Sequence, residues 1–99
     1  MLTDDELKDN FRDYLLYFSV LSNNEKYAQQ LIESGANINR QDEHGDTPLH
    51  IAYRNEFWDI VNLLLRHNAK MFIKNNNGYV ASDYFDEDLS PSNLESFNE

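Results

Sequence analysis

The sequence predicts an all-α fold made of stacked helix–turn–helix units. Three observations carry this. Apolar residues recur at spacings of three and four in several short segments. Capping residues mark where those segments start, and glycine or asparagine marks where they stop. The arrangement also recurs along the chain. Leu31, Ile32, Gly35 and Ala36 align with Leu64, Leu65, Asn68 and Ala69 at an offset of 33 residues, and Gly45 aligns with Gly78 at the same offset.

The first helix opens at Thr3, with Glu6 three residues on in a capping-box pattern. Asp4, Asp5 and Glu6 then occupy the first turn, where the helix dipole favours negative charge. Leu7, Phe11, Tyr14, Leu15, Phe18 and Leu21 form one apolar stripe, which reads as the buried face of an amphipathic helix. Ser22-Asn23-Asn24 breaks it. A second helix is expected over Glu25–Ser34, burying Tyr27, Ala28, Leu31 and Ile32, with Gly35 as its left-handed stop. Asn37 to Arg40 read as a polar connector.

Thr47-Pro48 is the sharpest boundary. Threonine caps, and proline at the first helical position loses no needed N–H. The helix they start contains Leu49, His50, Ile51, Ala52 and Tyr53. Arg54-Asn55-Glu56 separates it from a helix over Phe57–His67, with Asn68 as the stop. Asn75-Asn76-Asn77-Gly78 is a turn, followed by a short helix around Val80–Phe85. Ser90-Pro91 is expected to start a last short helix through Leu94 and Phe97.

An offset of 33 is the period of ankyrin repeats. Gly45-Asp46-Thr47-Pro48-Leu49-His50-Ile51-Ala52 resembles the opening motif of that family, and Ile60 to Leu65 with Asn68-Ala69 resembles its second helix and closing turn. Leu31 to Asn39 resemble the end of a preceding repeat, and Gly78 to Tyr84 a variant opening of the next. The resemblance implies an ankyrin-repeat solenoid with short hairpin turns. It divides a single domain, 1–99, into an N-terminal capping repeat over 1–41, a central repeat over 42–74 and a degenerate capping repeat over 75–99. It also implies structural roles for Gly45, Thr47, Pro48, Leu49, His50 and Ala52, with Thr47 as the hydrogen-bond partner of His50. Two positions depart from the family pattern. Glu56 stands where glycine is common between the two helices, and Val80-Ala81 replace the threonine and proline that would open the third repeat.

Composition narrows the function. Aromatic residues make up 13% of 99 residues, enough for one folded core despite a mean hydropathy of -0.73. The net charge of -10 disfavours phosphate backbones and anionic lipid, and favours a basic protein surface as partner. The chain has no cysteine, so disulfides, thiol nucleophiles and thiolate metal sites are excluded. The acidic start lacks a secretion signal, and the apolar stretch from Tyr14 to Leu21 is too short to span a bilayer. A cytoplasmic location is therefore expected.

Catalytic and metal motifs are absent from the sequence. His44, His50 and His67 show no i, i+4 pairing. Asp86-Glu87-Asp88 lacks the spacing and glycine of a calcium loop. No glycine-rich phosphate loop or nucleophile elbow occurs. No enzymatic activity, cofactor, metal, nucleic acid or membrane contact is expected.

The resemblance implies recognition through turn tips and the concave face. The first tip is Gln41, Glu43, His44 and Asp46, and the second is Asn76, Asn77 and Tyr79. The concave positions are Tyr53, Arg54 and Asn55, with Asp86, Glu87 and Asp88 as counterparts in the third repeat and Val20, Leu21 and Ser22 in the first. Apolar Val20 and Leu21 at an open position imply either cover by the additional N-terminal helical turns or an apolar contact. The expected function is that of a protein-binding module, monomeric when free, that masks or inhibits a basic partner in the manner of an immunity protein or antitoxin. The alternatives are an adapter or host-directed effector that bridges two proteins, and an accessory subunit of an enzyme.

Overall fold

The computed structural model describes residues 3–85, and these form helices and turns throughout. Asp86, Glu87, Asp88 and the helix expected after Ser90-Pro91 lie outside the described residues. Four α-helices follow in order: α1 (Asp4–Leu21), α2 (Glu25–Glu33), α3 (Pro48–Arg54) and α4 (Trp58–Arg66). A 3₁₀ helix, Ala81–Tyr84, comes after them. No helix among the described residues is long and apolar enough to cross a membrane.

Local chemistry sets each boundary. The Thr3 hydroxyl accepts from the Glu6 N–H at 3.1 Å and opens α1. The Asn24 side chain accepts from the Tyr27 N–H at 3.1 Å and opens α2, a cap that reading Asn24 as a simple break does not anticipate. Thr47 caps α3 as expected, with Pro48 inside the first turn. The start of α4 has no side-chain cap, and its bounds fall one residue inside those expected at each end.

Among the described residues, three non-glycine ones adopt the left-handed conformation: Asn23 (φ 54°), Glu56 (φ 59°) and Asn68 (φ 67°). Glu56 thus keeps the backbone that glycine would adopt there, with the Cβ strain that glycine would avoid. The third unit opens on a single 3₁₀ turn because Val80 has no hydroxyl to cap it. Instead the Asp83 carboxylate reaches back to accept from the Val80 N–H at 2.9 Å.

The helices form two antiparallel pairs, α1–α2 and α3–α4. The pairs stack with α3 against α1 and α4 against α2, and the 3₁₀ helix packs on α3. The core runs through the stack as Leu16, Val20, Ala28 and Leu31, then Leu49, Ala52, Ile60, Leu63 and Leu64.

Here α1 departs from the sequence expectation. Its buried face is Leu16, Ser19 and Val20. Leu7, Phe11, Tyr14, Phe18 and Leu21, expected in the core, are 42–66% exposed, and Leu15 is half-buried. The physical reason is the closeness of the neighbouring helices. Ser19 stands 33 residues before Ala52, and both are small and buried, which lets backbones approach where Phe or Tyr would hold them apart. Val20 joins the core, whereas Leu21 stays open with the exposed stripe.

The N-terminal half of α1 has no counterpart in α3. It is tied to the connector after α2 instead. Asp13 accepts from the Asn37 N–H at 2.6 Å and pairs with Arg40 at 3.2 Å. The same Arg40 nitrogen donates to the Asn10 side-chain oxygen at 2.5 Å.

Candidate functional site

Two polar turns project from the edge of the stack, and their internal bonds repeat. In the first, the Asp42 N–H donates to the Asp46 carbonyl and the Gly45 N–H to the Asp42 carbonyl, both at 2.9 Å. In the second, the Asn75 N–H donates to the Tyr79 carbonyl and the Gly78 N–H to the Asn75 carbonyl, again at 2.9 Å. A carboxylate or amide oxygen staples each turn. Asp42 Oδ1 accepts from the N–H groups of His44 and Asp46, and Asn75 Oδ1 from those of Asn77 and Tyr79.

The turns are also bonded to each other. The Asn76 N–H donates to the His44 carbonyl at 3.0 Å, and its side-chain amide to the Glu43 carbonyl at 2.9 Å. The Gln41 amide donates to the Gly45 carbonyl at 2.9 Å and the Lys74 carbonyl at 3.1 Å. The ledge is therefore a rigid element rather than two separate loops.

His50 fastens it from below. Its Nδ1 accepts from the Thr47 N–H at 3.0 Å, with the Thr47 hydroxyl 2.9 Å away. Its Nε2 lies 2.8 Å from the Tyr79 carbonyl. A neutral ring with its proton on Nε2 satisfies both contacts. His50 thus completes the capping box of its own helix and holds the next turn.

Asp46 is not open at the tip. It is 3% exposed, because stacking brings Arg54 and Asn75 onto it. Arg54 donates to Oδ2 at 2.8 Å and the Asn75 amide to Oδ1 at 2.9 Å. Burial acts to raise the Asp46 carboxyl, but the hydrogen bonds from Arg54 and Asn75 and the Arg54 charge outweigh it and hold it below the usual carboxylate range. The Arg54 guanidinium lies over the Tyr84 ring, 4.5 Å from its centroid.

The other positions divide in the same way. Tyr53 is half-buried, edge-on to Trp58 and Phe85. Asn55 donates to the Ile51 carbonyl at 2.9 Å. Asn76 is exposed, but its backbone N–H and one side-chain N–H are bonded to the preceding turn. Glu43, His44, Asn77 and Tyr79 remain open, and the Glu43 and His44 side chains are 87% and 72% exposed. Pro48, Leu49 and Ala52 are buried, as a structural role requires.

The structure adds a groove of about 320 Å³ between α1 and the first turn. Tyr14, Tyr17, Arg40 and Asp42 line it, with Glu43 at its edge. Burial first, and then the Asp42 carboxylate beside it, push the Tyr17 phenol above its ordinary value. Tyr17 could have been found by aligning it with His50 at the 33-residue offset, since both then point under a turn. Among the described residues no three histidine or carboxylate side chains are grouped to hold a metal ion.

Stacked helix pairs with interlocked polar turns define a helical repeat protein. A family model described as ankyrin repeats, in three copies, matches residues 2–76, and the chain belongs to the ankyrin-repeat family. Ankyrin repeats are protein–protein interaction modules. The chain is 45% identical over 67 residues to the 2-5A-dependent ribonuclease of Homo sapiens, covering 67% of this chain and 9% of that protein. It is 38% identical over 74 residues to protein phosphatase 1 regulatory subunit 27 of Mus musculus, covering 75% of this chain and 48% of that protein. To protein fem-1 homolog C of Homo sapiens it is 42% identical over 64 residues, covering 65% of this chain and 10% of that protein. The chain thus spans less than half the length of each of these relatives.

Proposed function

We propose that this chain acts without catalysis, by seating a basic protein surface on the turn ledge and masking it. The observation that supports this is the division of charge at the ledge. The Asp46 carboxylate is neutralised internally by Arg54, whereas Glu43 extends into solvent on a turn already fixed by Asn76. Glu43 stands at the edge of the open groove on a turn whose backbone is already held, so seating a partner there orders little further backbone. The net charge of -10 speeds encounter with a basic partner. Inhibition of a cognate basic protein, as by an immunity protein or antitoxin, is the form this reading takes, in a cytoplasmic setting.

The test is affinity capture from the source cells at low and high salt, repeated with Glu43→Lys and Tyr79→Ala. One stoichiometric basic partner, lost at high salt and weakened by more than about 1 kcal/mol in each variant, is the expected result. A partner retained at high salt and indifferent to both changes overturns it. The adapter reading needs a second independent face. An adapter would hold a second protein by a face whose substitutions leave the Glu43 and Tyr79 effects unchanged.

A further inference from the structure

We infer that the outer stripe of α1 is the interface for a second copy of this chain, paired antiparallel about Tyr14. The inference does not depend on what the turn ledge binds, although Tyr14 also lines the groove beside the first turn. Leu7, Phe11, Tyr14, Phe18 and Leu21 alternate steps of four and three, the spacing of a coiled-coil seam. At 100° per residue they fall on one narrow arc of the helix, centred opposite Leu16, so α1 is apolar on two opposite faces. One face is filled by α2 and α3. The other leaves five large side chains 42–66% exposed. Tyr14 and Phe18 already pack edge-to-face at 4.9 Å, so the seam is partly ordered before any partner arrives. An apolar helix face of this kind signals a covering surface.

Three features select a second copy as that cover. The first is self-complementarity. An antiparallel two-fold sets Leu7 against the partner's Leu21, Phe11 against the partner's Phe18, and Tyr14 against itself, which is the reciprocal pattern of an isologous interface.

The second is charge. Every charged residue of α1 lies between Asp4 and Asp13, and none lies between Tyr14 and Leu21. The antiparallel arrangement lays each charged half along the partner's uncharged half, where a parallel one would abut Asp4, Asp5 and Glu6 with their copies. Net repulsion at this end is modest. Residues 3–40 carry seven acidic and four basic side chains.

The third is area. The five exposures leave roughly 500–600 Å² of apolar surface per chain. Two copies would remove about 1,100 Å² from water, the small end of specific interfaces, so the dimer dissociates on dilution.

The test is sedimentation velocity on the full chain up to about 0.5 mM, the range in which an interface this small would populate a dimer. The wild type is expected to move from monomer to dimer with concentration. Phe11→Ser is expected to weaken the dimer at least about tenfold. Because Phe11 is exposed, its circular dichroism and melting should not change. The chain has no cysteine, so introduced thiols report register without background. Oxidising Leu7→Cys mixed with Leu21→Cys should give the mixed dimer, with little disulfide from either alone. A monomer throughout, a dimer indifferent to Phe11→Ser, or Leu7→Cys linking to itself as readily as to Leu21→Cys would each overturn the inference.

Discussion

Asp46 shows how a residue at a turn tip becomes a structural post. Its carboxylate is held between a cation eight residues on and an amide 29 residues on. Removing it in Asp46→Ala takes away charge-assisted bonds at a buried site. We expect a loss of about 2 kcal/mol in denaturant unfolding. Its pH dependence has a definite sign. The folded carboxyl titrates below the unfolded one, so its contribution is complete above the ordinary carboxylate range and is lost as pH falls through the depressed value. Asp46→Asn should therefore flatten the fall of stability with acid between about pH 5 and pH 2, while changing its slope little near neutrality. Glu56 is the opposite case, a residue in a conformation it does not favour (φ 59°). Glu56→Gly should raise stability by about 0.5–1 kcal/mol, read as an increased urea midpoint. An unchanged or lowered midpoint would mean that the helix connection tolerates a side chain at no cost.

At the level of elements, the two turns share one backbone plan and differ in their surroundings. A Cβ on Gly45 would lie 2.7 Å from the Asn76 backbone nitrogen, whereas one on Gly78 would meet nothing within 4 Å. Gly78→Ala should cost only its left-handed strain, about 1 kcal/mol. Gly45→Ala should cost at least twice that, because the second turn must also move off the first, and thermal melts of the two variants check the order. The turns and the helices α2, α3 and α4 are legible in sequence because local chemistry fixes them. Thr47-Pro48, Gly35 and Asn68 act within a few residues of where they stand, and the 33-residue offset shows that the pattern recurs. The fate of Asp46 is not legible, since Arg54 and Asn75 reach it only through stacking. The orientation of α1 is not legible for a different reason. Spacing says that a helix has an apolar face, but α1 has two, and the bulkier one is the open one. Small residues such as Ser19, which admit a neighbouring backbone, were the better guide to the inside. Tyr53, Arg54 and Asn55 were read as open partner-facing positions, and their engagement with Trp58, Asp46 and Ile51 was not legible.

For the whole molecule, the consequence of interlocked turns is coupling between helix pairs. Repeat stability is a sum of unit terms and neighbour interfaces, and here the α1–α2 and α3–α4 pairs share one core. The single tryptophan, Trp58, reports on α4, while far-ultraviolet circular dichroism reports on all the helices, α1 being the longest. The two signals should follow one denaturation curve in the wild type; separated midpoints would show that the pairs unfold independently. The contact between Asn75 and Asp46 also bears on how such a chain could lengthen. Tandem duplication of the 33-residue unit from Asp42 to Lys74 would place a copy of Asp42 where Asn75 now stands. A buried amide that donates to Asp46 would be replaced by a second carboxylate with no proton to give. A copy of Glu43 would likewise stand where Asn76 is, without the amide that donates to the Glu43 carbonyl. Growth by copying therefore meets its obstacle at the seam, where two asparagine amides and not the helices set the order of the units.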